Sequence, residues 1–137
     1  SAGANASGAA GRAKYDEAMR LLAKAQYDEA RSAFRAFADA YPTDELAPQA
    51  IYWLGDIAYV QKDYAAAARA FAEEIKRYPS SPRAPESMLK LGQSLIAMGQ
   101  KQQGCTTLGA LPSKYPNAPK TVAARAAQER KAASCRS

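Results

Sequence analysis

The sequence predicts an all-α fold: three helix-turn-helix repeats of 37 residues wound into a superhelix and closed by a C-terminal helix. Three observations carry that prediction. Tyr41-Pro42, Tyr78-Pro79 and Tyr115-Pro116 recur at a single interval of 37, a period in the range that marks a solenoid. The same offset carries Tyr27 onto Tyr64, Ala30 onto Ala67 and Gly104, Phe34 onto Phe71 and Leu108, Gly55 onto Gly92, and Pro48 onto Pro85. Within each period, apolar residues fall three, four and seven apart, as on one face of a helix.

Along the chain, the Gly/Ala/Ser opening from Ser1 to Gly11 reads as a flexible linker or vector-derived remnant, and repeats plus closing helix fill residues 12–133. Leu46 to Val60 reads as the first helix of the second repeat. Pro48 is tolerated in its first turn, and Ile51, Leu54, Gly55 and Ala58 share its core face. A break at Gln61-Lys62-Asp63 leads to a second helix, Tyr64 to Arg77, with Ala67, Ala68, Phe71 and Ile75 at helical spacing. Pro79 stops it, because proline has no backbone N–H to continue the ladder. Small residues at Ala30, Gly55, Ala67 and Gly92 let paired helices approach closely, and Phe34, Phe71 and Leu108 fill the wedge between repeats. In the connections, Thr43, Ser80 and Asn117 are of helix-capping type. Lys120 to Ala133 forms the helix that covers the open edge of the third repeat, as a terminal repeat requires, and residues 134–137 read as a tail.

Composition narrows the function. With 137 residues the chain is of single-domain size, and no apolar run reaches the roughly 18 residues a membrane span needs. There is no histidine, which removes histidine triads, histidine metal ligands and the usual general base near neutral pH. Acidic pairs such as Asp16-Glu17, Asp28-Glu29 and Glu73-Glu74 sit on amphipathic helices as solvated surface. No apolar pocket is implied that would raise one carboxyl for glycosidase chemistry. The reading is a binding module with no enzymatic activity, no cofactor and no metal.

The net charge of +6 is confined to one end. Residues 1–98 hold 12 basic and 12 acidic side chains, whereas Lys101, Lys114, Lys120, Arg125, Arg130, Lys131 and Arg136 face only Glu129. That end is either a solvated face that aids solubility or a contact for an acidic protein, an anionic glycan, lipid headgroups or nucleic acid. No aromatic residue follows Tyr115, so nucleic acid is not expected as a partner.

The run of Leu54-Gly55, then Ala67, Phe71 and Pro79, resembles the tetratricopeptide consensus. Leu91-Gly92, Leu108 and Pro116 repeat it with Gly104 at the alanine position, and the first repeat departs from it with Ala18 in place of the glycine. The longer stretch Ala47 to Leu95, above all Tyr52 to Gly55 and the connection Tyr78 to Ser87, resembles the C-terminal repeat domain of the YbgF/CpoB family of the Tol-Pal system. That resemblance implies a periplasmic protein whose upstream part is an oligomerising coiled coil. It further implies binding to TolA and help in coordinating peptidoglycan synthesis, through a bifunctional penicillin-binding protein, with outer-membrane constriction at division. No direct membrane insertion is expected, and the repeat domain alone is expected to be monomeric. The alternatives are a structural repeat subunit of an outer-membrane assembly complex and a peptide-binding adaptor for another partner.

Tetratricopeptide arrays bind peptides in the concave surface lined by their first helices. On this register the groove candidates are Tyr15, Met19 and Leu22, then Tyr52, Trp53, Asp56 and Tyr59, then Lys90, Gln93 and Ile96. Aromatic residues lead at hot spots, so Tyr52, Trp53 and Tyr59 head the set; the alternative for Trp53 and Tyr59 is packing between repeats. The lysine and asparagine clamp for a terminal carboxylate, known from some such domains, is absent, because its positions read Tyr15, Met19, Trp53, Glu86 and Lys90. Cys105 and Cys135 match no metal spacing. In an oxidising compartment they can pair and pin the closing helix; the alternative is a free thiol at Cys135 on a disordered tail.

Overall fold

The computed structural model describes residues 8–136. Among them run seven α-helices and no strand: α1 (Gly8–Ala23), α2 (Tyr27–Ala40), α3 (Ala47–Val60), α4 (Tyr64–Arg77), α5 (Ala84–Ala97), α6 (Lys101–Lys114) and α7 (Lys120–Ala132). Each helix packs on the next, so the pairs α1/α2, α3/α4 and α5/α6 are the three repeats. The first helices also meet one another, α3 with α5 and α5 with α7. They therefore line one face, and α7 stands where a fourth first helix would.

Each repeat turns on the same backbone device. Ala25, Lys62 and Gly99 take left-handed conformations at φ 58, 64 and 85. The next N–H in each case bonds back across the turn, Gln26 to the carbonyl of Leu21, Asp63 to Ala58 and Gln100 to Leu95, at 2.8–2.9 Å. This is the Schellman closure, which satisfies carbonyls that a helix end leaves unpaired. Asp63 adds a true cap, its Oδ1 accepting from the N–H of Ala66 at 3.2 Å.

Between repeats the expected caps do not form: α3, α5 and α7 start from Leu46, Arg83 and Pro119 without a side-chain cap bond, and side-chain bonds instead close the turn before α3 and α5. Asp44 Oδ1 accepts from the N–H of Leu46 at 2.8 Å and Ser81 Oγ from the N–H of Arg83 at 3.1 Å. Thr43, Ser80 and Asn117 are exposed loop residues. The turn after Tyr-Pro places the Asp44 and Ser81 side chains to bond the N–H two residues on, a local turn bond and not a helix cap. Tyr78 ties successive turns together, its hydroxyl donating to the carbonyl of Pro42 at 2.6 Å.

Phe34, Phe37, Ile51, Ile57, Phe71, Leu108 and Leu111 are fully buried. The small residues do what their positions require. A Cβ on Gly55 would lie 2.8 Å from the Phe71 ring, and one on Gly92 would lie 2.4 Å from Leu108.

Both expected ends are revised. Gly8 to Gly11, expected to be linker, belongs to α1, and Gly11 is buried; Ala9 and Ala10 favour helix strongly enough to extend it. Ser1 to Ser7 of that expected linker lie outside the described residues, as does Ser137. The expected tail from residue 134 instead folds back, with Ser134 at φ 58 and the N–H of Cys135 bonded to the carbonyl of Arg130 at 2.9 Å.

Candidate partner-binding face

The 37-residue register sorts the first-helix side chains into columns. Tyr15, Tyr52 and Leu89 form one column, and all three are buried, at 9%, 2% and 6% exposure. Tyr15 lies edge-on to Phe34 and Phe37, with ring centroids 5.8 and 5.4 Å away, inside the first-repeat core. Tyr52 packs edge-on to Trp53 and Phe71 at 5.2 and 6.0 Å. Neither ring is presented to a ligand, which corrects the expectation that they line a groove. Leu89 in the same column was the available signal: an apolar partner at the third position marks the column as core.

The column Leu22, Tyr59 and Ile96 is half-buried at the seam within each repeat. Tyr59 is T-shaped to Tyr64 of α4 at 5.1 Å, and Leu22 packs on the first-repeat core. Ile96 lies so close to α6 that a Cβ on Gly104 would fall 2.6 Å from it. These side chains pack toward their own second helix, and the Tyr59 hydroxyl is also within reach of the Glu129 and Arg125 charges of α7.

The half-exposed columns are Asp16, Trp53 and Lys90, and Met19, Asp56 and Gln93. They are joined across the face by pairs that step from one first helix to the next. Tyr52 donates its hydroxyl to Glu86 Oε2 at 2.7 Å, Arg83 Nε donates to Gln49 Oε1 at 2.9 Å, and Lys90 is ion-paired with Asp56. Gln93 Nε2 donates to Glu129 Oε1 of α7 at 3.0 Å. The Arg83 guanidinium lies 4.3 Å over the Tyr52 ring and 5.3 Å from that of Trp53, and also bonds Glu86 Oε1 at 2.8 Å.

This environment sets the protonation states. Burial, reinforced by the Glu86 carboxylate, pushes the Tyr52 hydroxyl up, so it stays a donor at any working pH. Burial also pushes Glu86 up, but the hydrogen bonds from Tyr52 and Arg83 and the charges of Arg83 and Lys90 outweigh it and hold the carboxyl below its usual range. Glu86, Arg83, Gln49 and Glu129 are the members of this face that the groove prediction did not include. Their signal was spacing: Gln49 and Arg83, and Tyr52 and Glu86, each stand 34 residues apart, one helical turn short of the 37-residue period.

At the far end, Cys105 of α6 and Cys135 beyond α7 are joined by a disulfide, their Cα atoms 5.5 Å apart. Arg130 lies beside it and donates to the carbonyls of Cys105, at 2.5 Å, and Arg136. Among the described residues no helix is long and apolar enough to cross a membrane.

Comparison with known proteins agrees with this architecture. Two sequences of the cell division coordinator CpoB from Pseudomonas putida are each 39% identical over 49 residues. The match takes in 36% of this chain and 18% of each relative, so it spans just under a fifth of the length of the curated proteins it matches. Family profiles described as tetratricopeptide repeat match residues 15–82 and 86–118, together most of the chain. With three helix pairs, a common closure in each and small residues where the paired helices touch, the chain belongs to the tetratricopeptide-repeat family.

Proposed function

We propose that this chain is a periplasmic interaction module that binds TolA on the face of its first helices. On this reading it helps coordinate peptidoglycan synthesis with outer-membrane constriction during cell division. The observation that carries the site is Trp53, half-exposed in the middle of that face between the first and third repeats, with the Asp56 and Lys90 pair beside it. A large ring held in place by Tyr52 and Arg83 offers apolar area at little entropic cost, as binding hot spots do. The likeness to a cell division coordinator supports the process, and a disulfide suits an oxidising compartment.

The cations of this face are already committed, Arg83 to Glu86 and Lys90 to Asp56. The ligand is therefore an internal segment or a folded surface and not a free C-terminal carboxylate. A bifunctional penicillin-binding protein is the second partner of this reading.

The test is a calorimetric titration with the soluble periplasmic part of TolA, beside Trp53→Ala and Tyr52→Phe. Trp53→Ala is expected to weaken binding by about tenfold or more, as loss of a hot-spot ring does. Tyr52→Phe keeps the ring in the core and reports only the Glu86 bond, so it is expected to change affinity less than Trp53→Ala. Absence of binding by the folded domain would remove TolA and leave an interaction module for another partner.

A further inference from the structure

We propose that the cleft between the first turns of α6 and the chain beyond α7 is a binding site for an acidic peptide segment, assembled by the Cys105–Cys135 disulfide. It is separate from the first-helix face. The cleft has a volume of about 880 Å³ and is lined by three cations, Lys101, Arg130 and Arg136, together with the hydrogen-bonding side chains of Gln102, Thr106 and Ser134. Among the described residues no carboxylate lines it.

Uncompensated charge sets this cleft apart. Elsewhere among the described residues every arginine but Arg69 is paired with a carboxylate, as Arg31 is with Asp63, Arg35 with Glu73 and Arg83 with Glu86. Glu129, the one acidic residue after position 98, is taken by Arg125 at 2.8 Å and Gln93 at 3.0 Å. Arg130 bonds two carbonyl oxygens, which orient its guanidinium without neutralising it. A guanidinium has five N–H donors, so others remain for a carboxylate, whose geometry it matches in bidentate fashion. Gly109 permits the approach: a Cβ there would stand 2.6 Å from Arg130 Nη1.

The lining also selects among anions. It contains no aromatic ring on which a base could stack, which single-stranded nucleic acids exploit. It contains no large apolar side chain to enter a lipid surface. Lysine and arginine donors around the cleft suit side-chain carboxylates on an extended segment. Ser134 and Arg136 belong to the residues that the disulfide ties down, so the site exists in full only while that bond is closed.

The test is fluorescence anisotropy of a dye-labelled hexaglutamate peptide titrated with the oxidised chain. Competitors are an unlabelled oligothymidylate and vesicles containing phosphatidylglycerol. Lys101→Glu combined with Arg136→Glu is expected to weaken peptide binding by about tenfold or more, and Arg69→Glu, a charge reversal on α4, by less than about twofold. Reduction with dithiothreitol, with helicity followed by circular dichroism, is expected to weaken binding as much as the double variant does. Equal loss in Arg69→Glu would overturn the proposal in favour of diffuse net charge. Tighter binding of the oligonucleotide or vesicles than of the peptide would overturn its ligand class, and undiminished binding after reduction, with the thiols confirmed free, would overturn assembly by the disulfide.

Discussion

Glu74 is a fully buried carboxylate on α4, and neither of its oxygens has a hydrogen-bond partner among the described residues. Ser87 Oγ and the Tyr115 hydroxyl are likewise buried without a hydrogen bond of normal geometry, although Ser87 lies close enough to Glu74 to act on it. Burial pushes the Glu74 carboxyl up to about 6 from 4.5, against smaller opposing effects of the Ser87 and Ser81 hydroxyls and the Arg83 charge. The folded state therefore binds more protons than the unfolded chain between those values, and this group's contribution to stability falls as pH rises through that window. Glu74→Gln is expected to stabilise the domain by about 2 kcal/mol at pH 7, with the gain vanishing near pH 4, in urea unfolding across pH. Glycines make a second residue-level contrast. A Cβ on Gly104 would stand 2.9 Å from the carbonyl oxygen of Gly92, whereas one on Gly109 would meet a side chain, the Arg130 guanidinium, at 2.6 Å. Gly104→Ala is expected to cost about 1–3 kcal/mol through overpacking, and Gly109→Ala less, because up to about 1 kcal/mol of helix propensity offsets the displacement of Arg130 from its carbonyls; urea midpoints compare them directly. The alanine usual at the position of Gly104 does not fit here, because the paired helices of the third repeat approach backbone to backbone. Sequence located the small residue but not that distance.

At the level of helices, the sequence was most legible where chemistry repeats. Turns, helix pairs and the Tyr-Pro connections follow from the period of 37, and α4 runs from Tyr64 to Arg77 as predicted. Burial within a first helix was less legible. Trp53 and Tyr52 are adjacent aromatics, and Leu89 in register with Tyr52 was a one-residue cue to which of them is core; the contact with Phe71 and the bond to Glu86 fix it. The left-handed turn residue was visible as a break, yet its strain was not. Lys62 sits at φ 64, where Gly99 stands in the next repeat, so Lys62→Gly is expected to stabilise by about 1 kcal/mol by relieving the Cβ clash. Guanidinium denaturation of that variant beside Gly99→Ala, which is expected to lose a similar amount, checks both signs. The closing helix is the weakest element, with Ala126 its only buried residue. Its attachment rests on the Gln93–Glu129 bond, on Arg130 and on a disulfide closing a separation of 30 residues. A closure of that length contributes about 3–4 kcal/mol through the unfolded state.

Across the whole molecule, contacts run between neighbours in sequence, so stability is distributed as in other stacked arrays, with ends less supported than the middle. Hydrogen exchange is expected to be slowest in α3 to α5, which have neighbours on both sides, and faster in α1 and α7. Reduction is expected to speed exchange in α7 by roughly a hundredfold while leaving α3 nearly unchanged. Equal acceleration in every helix would show one cooperative unit. The disulfide also has a mechanical side. If this chain is pulled by its two ends, its repeats can unravel and lengthen, but the 30-residue span from Cys105 to Cys135 stays looped. About 100 Å of contour length is then withheld from extension, and a chemical reductant acts as the key that releases it.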